Sequence, residues 1–352
     1  MNTEKNIYLE KLDELGSLMS DYDQTPFANF AKVFCLATMN MRYEKVAFDL
    51  NLEEHPYIST KKIIEDTIDS FANLMDLNFI EDKNNSISSF KSNDLVKKHQ
   101  SLWQEIWSRH DDKEFRNFID LKAMRIEVND LTKYVAEQDC VEFGCGNGSF
   151  SFALLEKGAS SVKGIDFGKK SVEYAKNYST KMNLDSKAEF FLREVFDSGF
   201  NDEQFGFAVS NGVFHHLIED KIPEALIEVA RVLKKGGWFW YYVDGEGAIS
   251  MDLWDKSVEI LKDLDINEIE RCLIPLNIKR EKMVHIMDSL NATYLHTTWE
   301  KVTELLASCG FHNFKRLTGA TSTDFDEDVV NKDPYGKEKF GGGDLRIACQ
   351  KL

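Results

Sequence analysis

Apolar positions change period near residue 140. Upstream the spacing is helical. Tyr8, Leu12, Leu15 and Met19 recur at three- and four-residue intervals, which predicts an opening amphipathic helix. Residues 27–48, rich in Phe, Ala and Met, read as a second helix. Ser59-Thr60 can cap a third, from Lys61 to Met75, with Ile63, Ile64, Ile68, Phe71 and Leu74 on its apolar side. LNFIEDKNNSISSF then alternates apolar and polar residues around Lys83-Asn84-Asn85, which predicts a small hairpin. A helical stretch from Leu95 to Tyr134 carries Trp103, Trp107 and Phe115. From Cys140 onward short apolar runs alternate with helical ones, so the sheet should be mostly parallel. The strands predicted are 140–143, 162–165, 188–192, 205–210, 238–243, 314–317 and 345–349. Between them lie helices at Ser171–Met182 and Trp299–Ser308, and one whose face is Ile222, Ala225, Leu226, Val229, Ala230 and Leu233, ending before Gly236-Gly237. Asp244–Thr298 and Thr318–Gly343 fall outside this alternation, the first helical and the second acidic.

The most specific segment is CVEFGCGNGSFSFALLEKGASSVKGID, residues 140–166. A strand runs into Gly144-Cys145-Gly146-Asn147-Gly148, a helix follows, and a second strand ends on Asp166. A glycine-rich strand-to-helix turn lets backbone N–H groups approach a ligand. An acid at the end of the next strand can accept both hydroxyls of a ribose. Together they predict a nucleoside-bearing ligand. The dinucleotide fingerprint is G-x-G-x-x-G. Here the third glycine comes one residue early, and Glu142 stands two residues before the first.

That arrangement resembles motif I of the class I S-adenosylmethionine (SAM) methyltransferases. The resemblance covers roughly residues 130–317 and the last strand. It implies SAM as cofactor and an α/β fold: a seven-stranded Rossmann-like sheet with an antiparallel seventh strand. To this are added a mainly helical N-terminal domain and a helical insertion after the fifth strand. In the family the acid matched by Glu142 fixes the glycine loop and the methionine ammonium, and Gly144, Cys145, Gly146 and Gly148 form the loop. Asp166 matches the ribose acid, and Phe167 the apolar residue packed on adenine. Glu194 or the backbone of Val195 would meet the adenine amino group, although FFLREVF departs from the usual Gly-Asp-Ala. Ser210-Asn211-Gly212-Val213-Phe214-His215-His216-Leu217 resembles motif IV of small-molecule enzymes of the ubiquinone-biosynthesis, or type 11, group. It implies that Asn211 lies beside the methionine moiety. Val229–Gly237 matches the family's helix-to-strand turn.

The domains expected are 1–95, helical or winged-helix-like, and 96–352, catalytic, with 244–298 and 318–343 as a substrate cap. Winged-helix units in small-molecule O-methyltransferases serve dimerisation, so a homodimer through residues 1–95 is the corresponding expectation.

Composition narrows the partners. The 352 residues carry a net charge of −17, which argues against a nucleic-acid backbone. No apolar run reaches the length of a membrane span, and the N-terminus lacks the basic and apolar regions of a secretory signal. The six scattered cysteines show no C-x-x-C pairing and read as reduced thiols of a cytoplasmic protein. No metal is expected. Asp324, Asp326, Glu327 and Asp328 fit no EF-hand spacing and read as a solvated acidic loop.

The reaction implied is in-line transfer of the sulfonium methyl to a small molecule, through O or N by preference, with C or S as further options. His215 and His216 are the candidate bases. Asp244, His285, Tyr294 and His296 are candidate substrate contacts. The alternatives are a nucleic-acid methyltransferase and a non-catalytic SAM-binding regulatory protein.

Overall fold

The computed structural model describes residues 3–77, 112–278, 280–291, 294–321 and 324–352. The chain forms two compact units, one drawn from residues 1–102, 247–293 and 331–341, the other from 103–246, 294–330 and 342–352.

In the first unit, α1 (Thr3–Ser20), α2 (Pro26–Ala47) and α3 (Pro56–Asp76) pack together. Tyr8, Leu12, Leu15 and Met19 form the buried stripe of α1, as their spacing predicts. Helix α3 starts earlier than expected: Pro56 presets the backbone of the first turn, and His55 rather than Ser59-Thr60 is the cap. Thr60 is inside the helix and donates to Pro56 O at 2.7 Å. The predicted hairpin at 77–90 lies, but for Leu77, outside the described residues, as do Trp103 and Trp107.

The second unit opens with α4 (Asp112–Val128) and α5 (Thr132–Val135). Then β1 (Asp139–Phe143), α6 (Ser149–Glu156), β2 (Ser161–Asp166), α7 (Lys169–Lys181), β3 (Ala188–Leu192) and β4 (Phe205–Asn211) alternate. Helix α8 (Ile222–Val232) leads into β5 (Leu233–Asp244). Segment 247–293, which belongs to the first unit, contributes α9 (Ile249–Ile260), α10 (Ile266–Leu273) and α11 (Arg280–Asn291). The chain continues with α12 (Trp299–Ser308), β6 (Phe311–Arg316), α13 (Glu327–Lys332), α14 (Gly336–Phe340) and β7 (Asp344–Lys351).

The sheet has seven strands in the order β3-β2-β1-β4-β5-β7-β6. Strand β7 is antiparallel to both neighbours, and β1 to β5 are parallel. Both faces are covered. Phe115, Ile119, Phe150 and Leu154 pack on one, and Leu226, Val229, Val302 and Leu306 on the other.

Strand β5 begins at Leu233, before the glycines expected to precede it. Phe205 pairs with Leu233 and Phe207 with Trp238, so the pairing with β4 is irregular across Gly236-Gly237, which lie inside the strand. The strand order places the carboxyl ends of β1, β2, β4 and β5 along one edge, where open α/β sheets hold ligands.

Candidate active site

The glycine turn is shaped for close approach. Gly144 has φ +73°, and a Cβ there would lie 2.5 Å from both Val213 methyls. Its N–H and that of Cys145 donate to Ile165 O at 2.8 and 2.9 Å, tying the turn to the end of β2. Glu142 is buried on β1 and accepts from Ser151 N (2.8 Å) and Ser151 Oγ (2.5 Å). Burial pushes its carboxyl up to about 8, against the pull of the Ser151 hydrogen bonds and Lys122. Asp166, at the end of β2, accepts from Gly146 N (2.9 Å) through one oxygen and Gly168 N (2.7 Å) through the other. Burial raises its pKa as well, although these two backbone donors oppose it. Each Asp166 oxygen retains a second lone pair.

These groups fit a ligand carrying an ammonium and a ribose. Two buried acids raised by desolvation stand on either side of a turn whose backbone admits no side chain at Gly144. Asn147, in the same turn, buries Nδ2 without a hydrogen-bond partner, although its Oδ1 accepts from Ser149 N at 3.2 Å. Cys145 is buried, and desolvation keeps it a thiol. Further along the edge, Phe167 is half-buried, Glu194 exposed and Val195 buried. Asn211, at the end of β4, has its Oδ1 taken by Trp240 Nε1 at 3.1 Å, which leaves its amide NH₂ for other partners.

A second cluster lies beyond β4 and β5. A single helical turn, Phe214–His216, presents His215 and His216 with ring centroids 4.3 Å apart. Tyr294 packs on both, at 5.1 and 4.7 Å, and His296 stacks parallel to Tyr294 at 6.1 Å. Leu295 N donates to His215 O at 2.7 Å, holding this wall to the turn. His215 Nδ1 is buried 3.2 Å from Asp244 Oδ2, at ion-pair distance but off the hydrogen-bond line. Burial would raise the Asp244 carboxyl, but His215, the Tyr242 hydroxyl and His296 together hold it well below the usual carboxylate range.

A family model described as a methyltransferase domain matches residues 141–241, from β1 into β5. This is a class I SAM-dependent methyltransferase domain. Ribosomal protein L11 methyltransferase of Dictyoglomus thermophilum is 34% identical over 143 residues, 40% of this chain and 44% of that protein. Ubiquinone biosynthesis O-methyltransferase of Pseudomonas entomophila is 24% identical over 147 residues, 42% of this chain and 60% of that protein. The chain thus spans about half the length of these curated relatives. Among solved structures, 1,6-didemethyltoxoflavin-N1-methyltransferase of Burkholderia thailandensis, bound to S-adenosylhomocysteine, matches with TM-score 0.43 and 15% identity, over 73% of this chain and 88% of that one.

The second unit also holds groups that sequence reading missed. Lys122 on α4 is half-buried; burial, Arg125 and Arg346 push it down to about 7, while Glu142 and Asp324 pull the other way. Nothing in its local sequence separates it from the other lysines of an amphipathic helix. Arg346 on β7 reaches Asp324 (2.7 Å), Asp326 (3.1 Å) and Asp344 (2.9 Å), and Arg125 reaches Asp324 at 2.5 Å. The loop acids Asp324 and Asp326, expected to be solvated, are therefore buried, because two arginines neutralise them. Glu327 and Asp328, in the first turn of α13, remain exposed.

His285 is on α11 in the helical unit, and its side chain lies outside the described residues. Among the described residues, no group of three or more His, Cys, Asp or Glu is arranged to hold a metal ion. No described helix is long and apolar enough to cross a membrane.

Proposed function

We propose that this chain transfers the methyl group of SAM to a small-molecule acceptor, through oxygen or nitrogen. The observation that carries the reading is the pairing of the two-acid glycine cradle with a histidine wall at the same sheet edge. When bound, SAM supplies a methyl on a sulfonium, already activated, and a neutral thioether is left behind. Positioning is then the main demand on the protein. Glu142 holds the ammonium, and Lys122 offers the counter-charge for the carboxylate. Asp166 accepts the ribose hydroxyls through its free lone pairs. Phe167 and Val195 flank the adenine, with Glu194 at its rim, and the Asn211 amide faces the methionine chain.

His215 takes the acceptor's proton. Its ring is buried against Tyr294. His216, Tyr294 and His296 form the acceptor's aromatic wall. A base of this kind contributes roughly 10²- to 10⁴-fold and is needed where the acceptor atom carries a proton, as in a hydroxyl or amine.

A protein acceptor is the competing reading, favoured by the similarity to ribosomal protein L11 methyltransferase over 143 residues. A nucleic-acid acceptor is disfavoured by the net charge of −17. Incubation with methyl-labelled SAM and separated metabolite, protein and nucleic-acid fractions distinguishes them. The account predicts label in the metabolite fraction, lost with His215→Ala. Label in protein or nucleic acid would overturn the choice of acceptor, and no transfer to any fraction would favour a SAM-binding regulatory protein.

A further inference from the structure

Asp244 stands at the carboxyl end of β5, where sequence alone suggests a substrate contact. Its neighbours indicate a different task. Asp244 and Tyr242 are two residues apart on one strand, so they share a face of the sheet. The Tyr242 hydroxyl donates to Asp244 Oδ1 at 2.7 Å. The other oxygen, Oδ2, faces His215 Nδ1 at 3.2 Å. Thr297 N donates to Asp244 O at 3.2 Å, which fixes the strand end as well as the side chain. Both carboxylate oxygens are thus committed within the protein.

Asp344 is directly opposite Asp244 across the β5–β7 ladder. Two aspartates in that register repel. Two features relieve the repulsion. Arg346 pairs with Asp344 at 2.9 Å, and its guanidinium stacks 4.8 Å from the Tyr242 ring centroid. The Tyr242 hydroxyl, 3.2 Å from Asp344 Oδ1, lies between the two acids and is nearer to Asp244. The ionised Asp244 is then an acceptor only. A ring nitrogen facing it must carry the proton.

We infer, resting on the methyl-transfer reading above, that Asp244 and Tyr242 are positioning residues that hold His215 as its Nδ1–H tautomer, leaving Nε2 as the proton acceptor. In the step this serves, a bond forms from the acceptor O or N to the methyl carbon as the carbon–sulfur bond breaks. The acceptor's proton moves to Nε2. The resulting imidazolium is stabilised by Asp244 and later gives that proton to water. The Nδ1 contact is at 3.2 Å but off-line here. Such contacts commonly tighten once substrate is bound. The groups facing His215 are His216 from its own turn, Tyr294 from the wall, and Tyr242 and Asp244 from β5.

The tautomer can be read without knowing the acceptor. Long-range proton–nitrogen NMR on the full chain, with labelled histidine, reports both ring nitrogens of each of the eight histidines. His215→Gln assigns the signal. In the wild type His215 should be Nδ1–H with Nε2 unprotonated. Asp244→Asn should move the proton to Nε2, because an amide NH₂ turned to Nδ1 makes that nitrogen the acceptor. Tyr242→Phe keeps the ring and removes the donor, and should give a mixture of tautomers. It serves as the second variant if Asp244→Asn does not fold. Once the methyl-label experiment has supplied the acceptor, Asp244→Asn should lower kcat by roughly 10²- to 10⁴-fold with KM little changed.

A wild-type His215 protonated at Nε2, or a tautomer unchanged in both variants, would overturn the inference. Calorimetry with S-adenosylhomocysteine separates the two levels. Wild type that shows the Nδ1–H tautomer but binds no S-adenosylhomocysteine refutes the methyl-transfer reading and leaves the positioning role standing. Wild type that binds it but shows the wrong tautomer refutes the positioning role alone.

Discussion

Replacing Glu142 with glutamine should stabilise the ligand-free protein at alkaline pH and abolish its hold on the cofactor. Glu142 is buried, and its pKa stands at about 8 against an ordinary 4.5. Below pH 4.5 the group is protonated in both folded and unfolded chains and contributes nothing. Between 4.5 and about 8 the unfolded chain ionises while the folded one keeps its proton, so the unfolded state gains. Above about 8 both are ionised, and the folded state bears the full desolvation cost. At 1.36 kcal/mol per pH unit, that gap is about 5 kcal/mol. Stability should therefore fall as pH rises from 4.5 to 8. Glutamine has no charge to desolvate, and its Oε1 can still accept from Ser151. The variant should melt with the wild type at pH 4.5 and above it at pH 9. For a chain of 352 residues the difference is roughly 7 °C. Saturating S-adenosylhomocysteine should reverse the order, raising the wild type alone, because only the ionised glutamate pairs with the ligand's ammonium. Thermal melts at the two pH values, with and without S-adenosylhomocysteine, make the test. A melting difference independent of pH, or equal stabilisation of both proteins by the ligand, would refute the reasoning.

Two further predictions follow from the charged groups around the cradle. Lys122→Met should weaken S-adenosylhomocysteine roughly 10- to 100-fold, the worth of one charge-assisted hydrogen bond. Calorimetry with 5′-methylthioadenosine, which lacks the amino-acid end, should show no change; loss of both would mean that Lys122 serves the fold. Arg346→Met leaves Asp324, Asp326 and Asp344 without their shared cation, and urea unfolding should show a loss of about 3–5 kcal/mol. A loss below about 1 kcal/mol would mean that these acids are effectively solvated.

The cradle was legible because its parts are contiguous. Glu142, the three glycines and Asp166 lie within one strand–turn–helix–strand unit, and the strand count follows from the same alternation. What was missed depends on long-range pairing. His215 and Asp244 are separated by a helix and a strand, and meet because β4 and β5 are parallel neighbours, with Asn211 beside Tyr242. Asp324 and Asp326 look solvated in a run of acids and glycines; only β7, closing beside β5, brings Arg346 to them. Gly236-Gly237 lie inside β5 but read as a turn ahead of it, because glycine marks turns. Pro56 was the stronger start signal for α3, and it lay four residues ahead of the threonine expected to cap it.

The central claim is that the turn at Gly144–Gly148, with Glu142 and Asp166, seats SAM. Calorimetric titration of the full chain with S-adenosylhomocysteine tests it most directly, comparing wild type with Asp166→Asn, which keeps the side chain's size and removes its charge. The account predicts one site per chain and a loss of roughly 10- to 100-fold in the variant. Absence of binding by the wild type, or equal affinity in the two proteins, would contradict it.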